Sequence, residues 1–146
     1  MKRSIGLLML VVIAVSYSFT FTQSVKEETE TGIQFHHVTF EDAKKLAKES
    51  GKLIFVDCYT NWCGPCKRMA ATSFKDVEVA KIYNEQFINF KVEMEKDSDG
   101  PEMARLYRIQ AYPTLLILNA DGKVVKQILG GQTSEGLLNL ASSVKK

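Results

Sequence analysis

The chain has 146 residues, of which 45% are hydrophobic and 25% charged. This length and composition predict one globular domain with a substantial core, and they exclude a disordered or fibrous chain. The formal charge of +2 comes from Lys2 and Arg3, since residues 25–146 carry 17 basic and 17 acidic side chains. A neutral body gives no electrostatic case for nucleic acid or an anionic membrane as a partner.

Residues 1–24 have the pattern of an export signal. Lys2 and Arg3 precede an uncharged apolar run from Ile5 to Val15, and small or polar residues follow. A basic start, a short apolar core and a small-residue end are typical of a secretory signal. The run is about half of the ~20 residues that a membrane-spanning helix needs. We therefore predict a cleaved signal and a periplasmic or secreted protein, with an uncleaved membrane anchor as the alternative.

Residues 25–32 are polar and predict a linker before a domain that spans 33–146. The predicted element order in this domain is β-α-β-α-α-β-α-β-β-α. The first strand is "IQFHHVTF", and a helix from Phe40 to Ser50 follows it. Thr39 is the predicted N-cap of this helix, with Asp42 reaching back as in a capping box, and Gly51 is its predicted end. Asp76 is the predicted N-cap of a later helix.

The middle of the chain predicts the centre of a sheet. "LIFVDCY", from Leu53 to Tyr59, is a nearly continuous apolar run, as expected of a strand covered on both faces. "FINFKVEM" is a second such strand, and "NADG" joins "TLLIL" to "KVVKQIL" in a hairpin. A closing helix from Ser134 to Val144 should turn Leu137, Leu138 and Ala141 inward. The predicted fold is α/β, with a mixed, mostly parallel central sheet, helices on both faces and a C-terminal antiparallel hairpin.

The segment "WCGPCK" contains Cys63 and Cys66 in a CxxC motif, for which there are three interpretations. Zinc needs about four ligands, and the other candidates are only Cys58, His36 and His37; we predict no metal site. A structural staple is the second interpretation, but so short a loop constrains the unfolded chain little. A redox-active pair fits better than either alternative.

Residue placement explains why a redox pair is favoured. If a helix begins at the motif, Cys63 lies at its N-terminus, where the unpaired N–H groups and the helix dipole stabilise a thiolate. Cys66, one turn later, is then placed to attack a mixed disulfide and release the partner. Pro65 falls in the first turn, where its missing N–H costs least. We expect Trp62, Gly64 and Pro65 to contact the substrate around Cys63, with ordinary packing as the alternative for Trp62.

These residues resemble the active site of thioredoxins. Asp57, six residues before Cys63, stands where that family has a buried acid that moves the proton of the second cysteine. "YRIQAYPT" is similar to the segment with the family's cis-proline, here Pro113 after Tyr112. The resemblance implies that Tyr112, Pro113 and Gly130 border the substrate groove and that Lys91 lies near the acid. Gly130 matches the family's groove glycine.

Within the superfamily, "KLIFVDCYTNWC" and "TSFKDVEVAKIY" resemble the C-terminal domain of the transmembrane thiol:disulfide interchange reductase. Those domains often lack the Gly-Pro pair that this chain has between its cysteines. The resemblance implies a membrane reductase as electron donor, and roles downstream in cytochrome c maturation or isomerase rescue. It further implies protein thiols and disulfides as partners, and we expect a monomer without a cofactor beyond the Cys63–Cys66 disulfide.

The predicted roles compete with simpler ones. Asp57 would be costly in a buried strand unless protonated or partnered; the alternative is an exposed carboxylate at the strand end. Lys91 is either its partner or a solvated lysine, and Tyr112 is either a groove residue or a rim aromatic. Cys58 alternates with Asp57 and should be a buried, inert thiol on the other face.

The sequence therefore predicts a thiol:disulfide oxidoreductase, in which Cys63 attacks, Cys66 resolves and Asp57 assists proton transfer. Gly-Pro between the cysteines resembles the reducing members of the family, so reduction of protein disulfides is the predicted direction. A disulfide oxidase or isomerase of the same fold is one alternative. A non-catalytic module that docks through a thiol is the other.

Overall fold

The computed structural model describes residues 31–144, so the predicted signal and most of the predicted linker lie outside the described residues. In that range no helix is long and apolar enough to cross a bilayer. The α-helices are α1 (Phe40–Ser50), α2 (Gly64–Ala71), α3 (Val77–Gln86), α4 (Gly100–Leu106) and α5 (Ser134–Ser142). The strands are β1 (Leu53–Tyr59), β2 (Phe87–Glu93), β3 (Thr114–Leu118) and β4 (Val124–Leu129).

The four strands form one sheet in the order β2-β1-β3-β4. β1 runs parallel to β2 and antiparallel to β3, and β4 pairs antiparallel with β3. The mixed sheet, its central β1 and the C-terminal hairpin agree with the prediction, but "mostly parallel" is too strong because two of the three pairings are antiparallel. The hairpin signal concerned β3 and β4 only, and the sequence carried no separate signal for the direction of β3 against β1.

The prediction of a first strand before α1 is wrong. "IQFHHVTF" forms no regular strand, and a single bridge joins His36 to Phe90 of β2. Side-chain amides take over much of the pairing: Asn84 Oδ1 accepts the Gln34 N–H at 2.8 Å, and Asn89 Nδ2 donates to the Gln34 carbonyl at 3.3 Å. The segment lies against β2, and apart from the backbone bond of the His36 N–H to the Asn89 carbonyl its bonds to this strand and to α3 are made by side chains.

Helix ends follow the predicted caps. The Thr39 hydroxyl accepts the Asp42 N–H at 3.2 Å, and Gly51 ends α1 in the left-handed region at φ 67°. Asp42 does not complete a capping box, because its carboxylate accepts the Thr39 hydroxyl at 2.8 Å. Asp76 caps α3 by accepting the N–H groups of its first turn.

The core lies on both faces of the sheet, and the alternation of β1 decides which residues face which helices. Val56 and Cys58 belong to an apolar cluster with α1 and α4, whereas Phe55 belongs to a cluster with α2, α3 and α5. In α5 the buried leucines are Leu137 and Leu140; Leu138, predicted to face inward, is only partly buried. Asp57, two residues after Phe55, therefore shares the face covered by α2.

Candidate active site

The cysteine pair lies where β1 turns into α2. Cys63 is the N-cap of α2, with extended backbone at φ −69° and ψ 107°, and its Sγ accepts the Cys66 N–H at 3.1 Å. The two cysteines form a disulfide with Cα atoms 5.3 Å apart, and both are buried. Pro65 is in the first turn, where its missing N–H leaves no helix bond broken. The helix thus opens at the motif, as the sequence predicted.

The charge around this helix end favours an anionic sulfur. The first turn of α2 has no acidic residue, and Lys67 and Arg68 follow on the same helix. An N-cap position receives the positive end of the helix dipole and its unpaired N–H groups. On reduction of the disulfide, Cys63 is the sulfur that these groups stabilise as a thiolate.

Asp57 is a buried acid, with 1% of its surface exposed. Burial raises the pKa of Asp57 to about 6, while the charge of Lys91 acts in the opposite direction. Both carboxylate oxygens are buried without a hydrogen-bond partner among the described residues. A carboxyl group with a pKa near neutrality is suited to accept and return a proton. The exposed strand-end interpretation of Asp57 is wrong.

Lys91 lies beside Asp57 because the two residues are partners in the parallel register of β1 and β2. Its Nζ is 3.5 Å from Asp57 Oδ2, an ion pair longer than a good hydrogen bond. The Lys91 side chain is about a quarter exposed, whereas Asp57 is not. The structure thus pairs Lys91 with the buried acid and contradicts a free, solvated lysine.

An aromatic rim borders the cysteines. Trp62 is 66% exposed, and its ring packs edge-to-face on Tyr112 with centroids 5.9 Å apart. The Trp62 indole Nε1–H donates to Glu95 Oε2 at 3.0 Å. Exposed aromatic rings with a fixed orientation are suited to partner contact. Tyr112 is therefore part of the rim, with its ring half-buried against Trp62.

Two loops meet beside the rim. The Tyr112–Pro113 peptide bond is cis, as the family resemblance implied. Gly130, with φ 92°, donates its N–H to the Pro113 carbonyl at 2.8 Å. Gly131, which the sequence reasoning missed, approaches α2: a Cβ placed there would lie 3.7 Å from Pro65 Cβ. The loop that contains Gly130 and Gly131 thus contacts Pro113 through Gly130 and approaches Pro65 of the motif through Gly131.

Glu93 was also missed by the sequence reasoning. It is buried at the end of β2, and its two oxygens accept the N–H groups of Asn61 at 2.9 Å and of Glu95 at 3.0 Å. Although burial acts to raise it, the pKa of Glu93 is lowered by these backbone bonds and by Lys96. The alternation of charge in "KVEME" was the available signal, because it places an acid inside a strand that otherwise looks buried.

The remaining thiol and histidines lie apart from this site. Cys58 is fully buried on the opposite face, where burial and then the Asp57 charge raise the pKa of its thiol far above the ordinary value. His36 and His37 are exposed on the segment before α1. Across residues 31–144, no three His, Cys, Asp or Glu side chains come close enough together to hold a metal ion.

A mixed sheet with a CxxC disulfide at the start of α2 and a cis-proline before β3 defines the thioredoxin class of protein. A family model for the thioredoxin-like domain matches residues 40–145. Thioredoxin H-type from Fagopyrum esculentum is 35% identical over 95 residues, which cover 65% of this chain and 75% of that protein. The chain belongs to the thioredoxin-like family.

The chain spans only part of some relatives. It covers 20% of protein disulfide-isomerase from Triticum aestivum, to which it is 29% identical over 106 residues and 73% of its own length. It spans half of the chloroplastic thioredoxin F of Oryza sativa subsp. japonica, with 34% identity over 105 residues and 68% of this chain.

Solved structures agree with this assignment. A candidate disulphide-isomerase from Bacteroides thetaiotaomicron is 42% identical, with a TM-score of 0.68 over 80% of this chain and 98% of that one. The oxidised C-terminal domain of DsbD from Neisseria meningitidis has a TM-score of 0.59 and 22% identity over 70% of this chain and 89% of that one. DsbD is the interchange reductase whose C-terminal domain the sequence resembles, and at this identity the likeness shows the fold alone.

Proposed function

We propose that this protein is a thiol:disulfide oxidoreductase that reduces protein disulfides through Cys63 and Cys66. The observation that carries the proposal is the position of Cys63 as N-cap of α2, with its Sγ accepting the Cys66 N–H at 3.1 Å. A sulfur in that position is held where a thiolate is most stable and where the second cysteine of the pair is within reach.

The reaction begins with the reduced pair. The Cys63 thiolate attacks one sulfur of a substrate disulfide, a new S–S bond forms, and the other substrate sulfur leaves as a thiolate that takes a proton. Cys66 then loses its proton, which Asp57 accepts, and attacks Cys63 Sγ in the mixed disulfide. The second substrate thiol is released, Cys63 and Cys66 are oxidised to the disulfide seen here, and two electrons have passed to the substrate.

The rim supports a protein as substrate. Trp62 is an exposed aromatic residue next to Cys63 and packs on the half-buried Tyr112, and Gly64, Pro65, Pro113 and Gly130 carry no long side chain. An exposed aromatic ring beside short side chains suits an extended segment of another protein better than an enclosed small molecule. We infer that these residues form the substrate-binding surface.

A disulfide isomerase is the second candidate function. The relative from Triticum aestivum is named as one, and the protein from Bacteroides thetaiotaomicron that shares 42% identity is named as a candidate one. The two functions differ in reduction potential, since the potential of thioredoxin is about −270 mV and that of protein disulfide isomerase about −180 mV. Gly-Pro between the cysteines favours the reductase.

We further propose export to the periplasm or cell exterior, by the signal in residues 1–24 or with that segment kept as an anchor. A reductant in an oxidising compartment needs a supply of electrons. A membrane reductase is the proposed donor, and cytochrome c maturation or isomerase rescue the proposed use. The basic start and short apolar run support export, and the resemblance of the sequence supports the donor. We also propose that the protein acts as a monomer.

Turnover with a protein disulfide tests the activity. The wild-type chain, supplied with a dithiol, should speed reduction of a disulfide-bonded protein, and Cys63→Ser should abolish that acceleration. Cys58→Ala is the matched control, because Cys58 lies on the opposite face of the sheet, and it should remain active. Equal acceleration by wild type and Cys63→Ser would contradict the proposal and favour a docking module.

A further inference from the structure

Three aromatic rings surround the Lys91 ammonium. Its Nζ lies 4.2 Å from the ring centroid of Tyr59, 5.6 Å from that of Phe35 and 6.0 Å from that of Phe74. A cation within about 6 Å of an aromatic ring face is attracted by the ring quadrupole. Three rings from three different parts of the chain therefore converge on a single charge.

The partly buried position of the Lys91 ammonium makes contact with aromatic rings favourable. A lysine ammonium is strongly hydrated, and a flexible stem usually carries it out to water. Here the side chain is about one quarter exposed, and Nζ stays 3.5 Å from the buried Asp57 Oδ2. The rings replace part of the hydration that the ammonium gives up, so they favour the position beside Asp57 over a position in solvent.

Phe35 reaches this site from outside the regular sheet. It is half-buried and packs on Phe74, with ring centroids 5.2 Å apart. Its neighbours are attached through Asn89: the Gln34 carbonyl accepts Asn89 Nδ2 at 3.3 Å, and the His36 N–H donates to the Asn89 carbonyl at 2.8 Å. The segment before α1 thus holds an aromatic ring over the Lys91–Asp57 pair.

We propose that Phe35, Tyr59 and Phe74 form an aromatic cage that holds the Lys91 ammonium beside Asp57, and that these aromatics are positioning residues for the buried acid. Lys91, from β2, is the charged group that acts on the pKa of Asp57. The Asp57 charge acts in turn on its β1 neighbours, raising the pKa of Cys58 and contributing to the raised pKa of Tyr59. On α2, Cys63 and Cys66 carry no charge while they form a disulfide.

Through Phe35, the cage gives the segment before α1 a part in the chemistry. Without a ring at residue 35, Lys91 is freer to move into solvent, and the carboxylate form of Asp57 loses some of its stabilisation. The pKa of Asp57 should then rise above its wild-type value. Any effect on Cys66 rests on the proposed function, in which Asp57 accepts the Cys66 proton.

The test is the pKa of Asp57, followed by the carboxyl carbon-13 chemical shift in the oxidised protein. Lys91→Met should raise this pKa by about 1, because a nearby opposite charge lowers the pKa of an acid by about 1–3. Phe35→Leu keeps an apolar side chain but removes the ring, and it should raise the pKa by roughly half as much. In the Lys91→Met background, Phe35→Leu should add nothing, since the ring acts through the ammonium.

Phe87→Leu is the matched control. Phe87 is buried in the same cluster as Phe74 and packs on Phe55 and Tyr83, so its loss weakens packing without removing a ring from Lys91. It should leave the pKa of Asp57 at the wild-type value. An unchanged pKa in Phe35→Leu, or an equal rise in Phe87→Leu or in the Lys91→Met background, would overturn the cage. A raised pKa in Phe35→Leu with no change in the pH profile of disulfide reduction would support the cage and overturn the proposed role of Asp57.

Discussion

The Glu93 carboxylate joins the end of β2 to the turn before the cysteines, because its Oε1 accepts the Asn61 N–H at 2.9 Å. Its Oε2 accepts the Glu95 N–H at 3.0 Å, so one buried side chain fixes both loops. Glu95 in turn accepts the Trp62 indole N–H. The geometry of the rim beside Cys63 therefore depends on an acid that contacts neither sulfur.

Glu93→Gln should lower the midpoint of thermal unfolding at pH 7. The amide has one oxygen and an NH2 group in place of two acceptor oxygens, so one backbone N–H would lose its acceptor and face a donor. We expect a fall of about 4–8 °C, as for the loss of a well-formed buried hydrogen bond in a domain of this size. Circular dichroism against temperature measures it.

Glu95→Gln is the control for this prediction. Glu95 is exposed, and a glutamine oxygen can still accept the Trp62 indole N–H, so the midpoint should change little.

The pKa of Glu93 is lowered in the folded protein, so the stabilisation from this carboxylate is present above the unfolded pKa and is lost as pH falls through the folded pKa. The gap between wild type and Glu93→Gln should therefore close in acid. A gap independent of pH would contradict the role given to the carboxylate.

Asp57→Asn should stabilise the oxidised protein at pH 7. Burial raises the pKa of Asp57 from 3.8 to about 6, so folding favours the protonated form. The stability from this group is fully present below pH 4 and is lost as pH rises through about 6. The raised value corresponds to about 2–3 kcal/mol at neutral pH, and the uncharged amide should recover a large part of it.

Urea unfolding of both proteins between pH 4 and pH 8 checks this prediction. The wild-type free energy of unfolding should fall relative to that of Asp57→Asn across pH 4–6 and then run parallel to it. The same substitution should slow disulfide reduction, because an amide at this position cannot accept the Cys66 proton. A constant difference between the two proteins across the whole range would show that Asp57 is already ionised at pH 4.

Cys66→Ser should trap substrates. The variant keeps the attacking Cys63 at the N-cap but lacks the thiol that resolves the mixed disulfide. Covalent complexes through Cys63 should accumulate, be visible on a non-reducing gel and disappear on addition of a dithiol. Cys63→Ser is the paired variant and should accumulate far fewer. Equal trapping by both variants would contradict the assignment of Cys63 as the attacking thiol.

Arg108→Gly should stabilise the protein by about 0.5–1 kcal/mol. Arg108 follows α4 with φ 52°, and the Ile109 N–H closes the helix end by donating to the Ala104 carbonyl at 2.9 Å. Glycine adopts this left-handed backbone without the steric cost that a side chain adds. Gln110→Gly, a neighbouring exposed position without positive φ, should not stabilise. Urea unfolding compares the two, and a loss of stability in Arg108→Gly would contradict the prediction.

Local signals in the sequence accounted for most of the fold. β1 was predicted with its observed bounds because the nearly continuous apolar run between Lys52 and Thr60 has 7 residues, a length typical of a buried strand and short for a helix. Thr39, Asp76 and Gly51 marked helix ends because caps act within one turn. Cys63, Cys66 and Asp57 were found because the motif fixes their spacing on one strand and one helix.

The features that the sequence did not predict are contacts between distant parts of the chain. Residues 33–40 have strand-like composition, and only the tertiary position of Asn84 and Asn89 shows that side chains replace the strand pairing. Glu93 received no prediction because its partner, Asn61, is 32 residues away. The surroundings of Lys91 likewise come from three separate segments. A local pattern can mark a residue such as Glu93, but it does not identify the distant partner that the residue contacts.

The reduction potential of the Cys63–Cys66 pair is the most direct test of the proposed reductase. The purified chain is equilibrated in graded thiol–disulfide buffers, and the reduced fraction is read by alkylation and mass. A potential near or below about −250 mV is predicted, as for a reductant that must be recharged in its compartment. A potential above about −200 mV would contradict the reductase and identify an oxidase or isomerase.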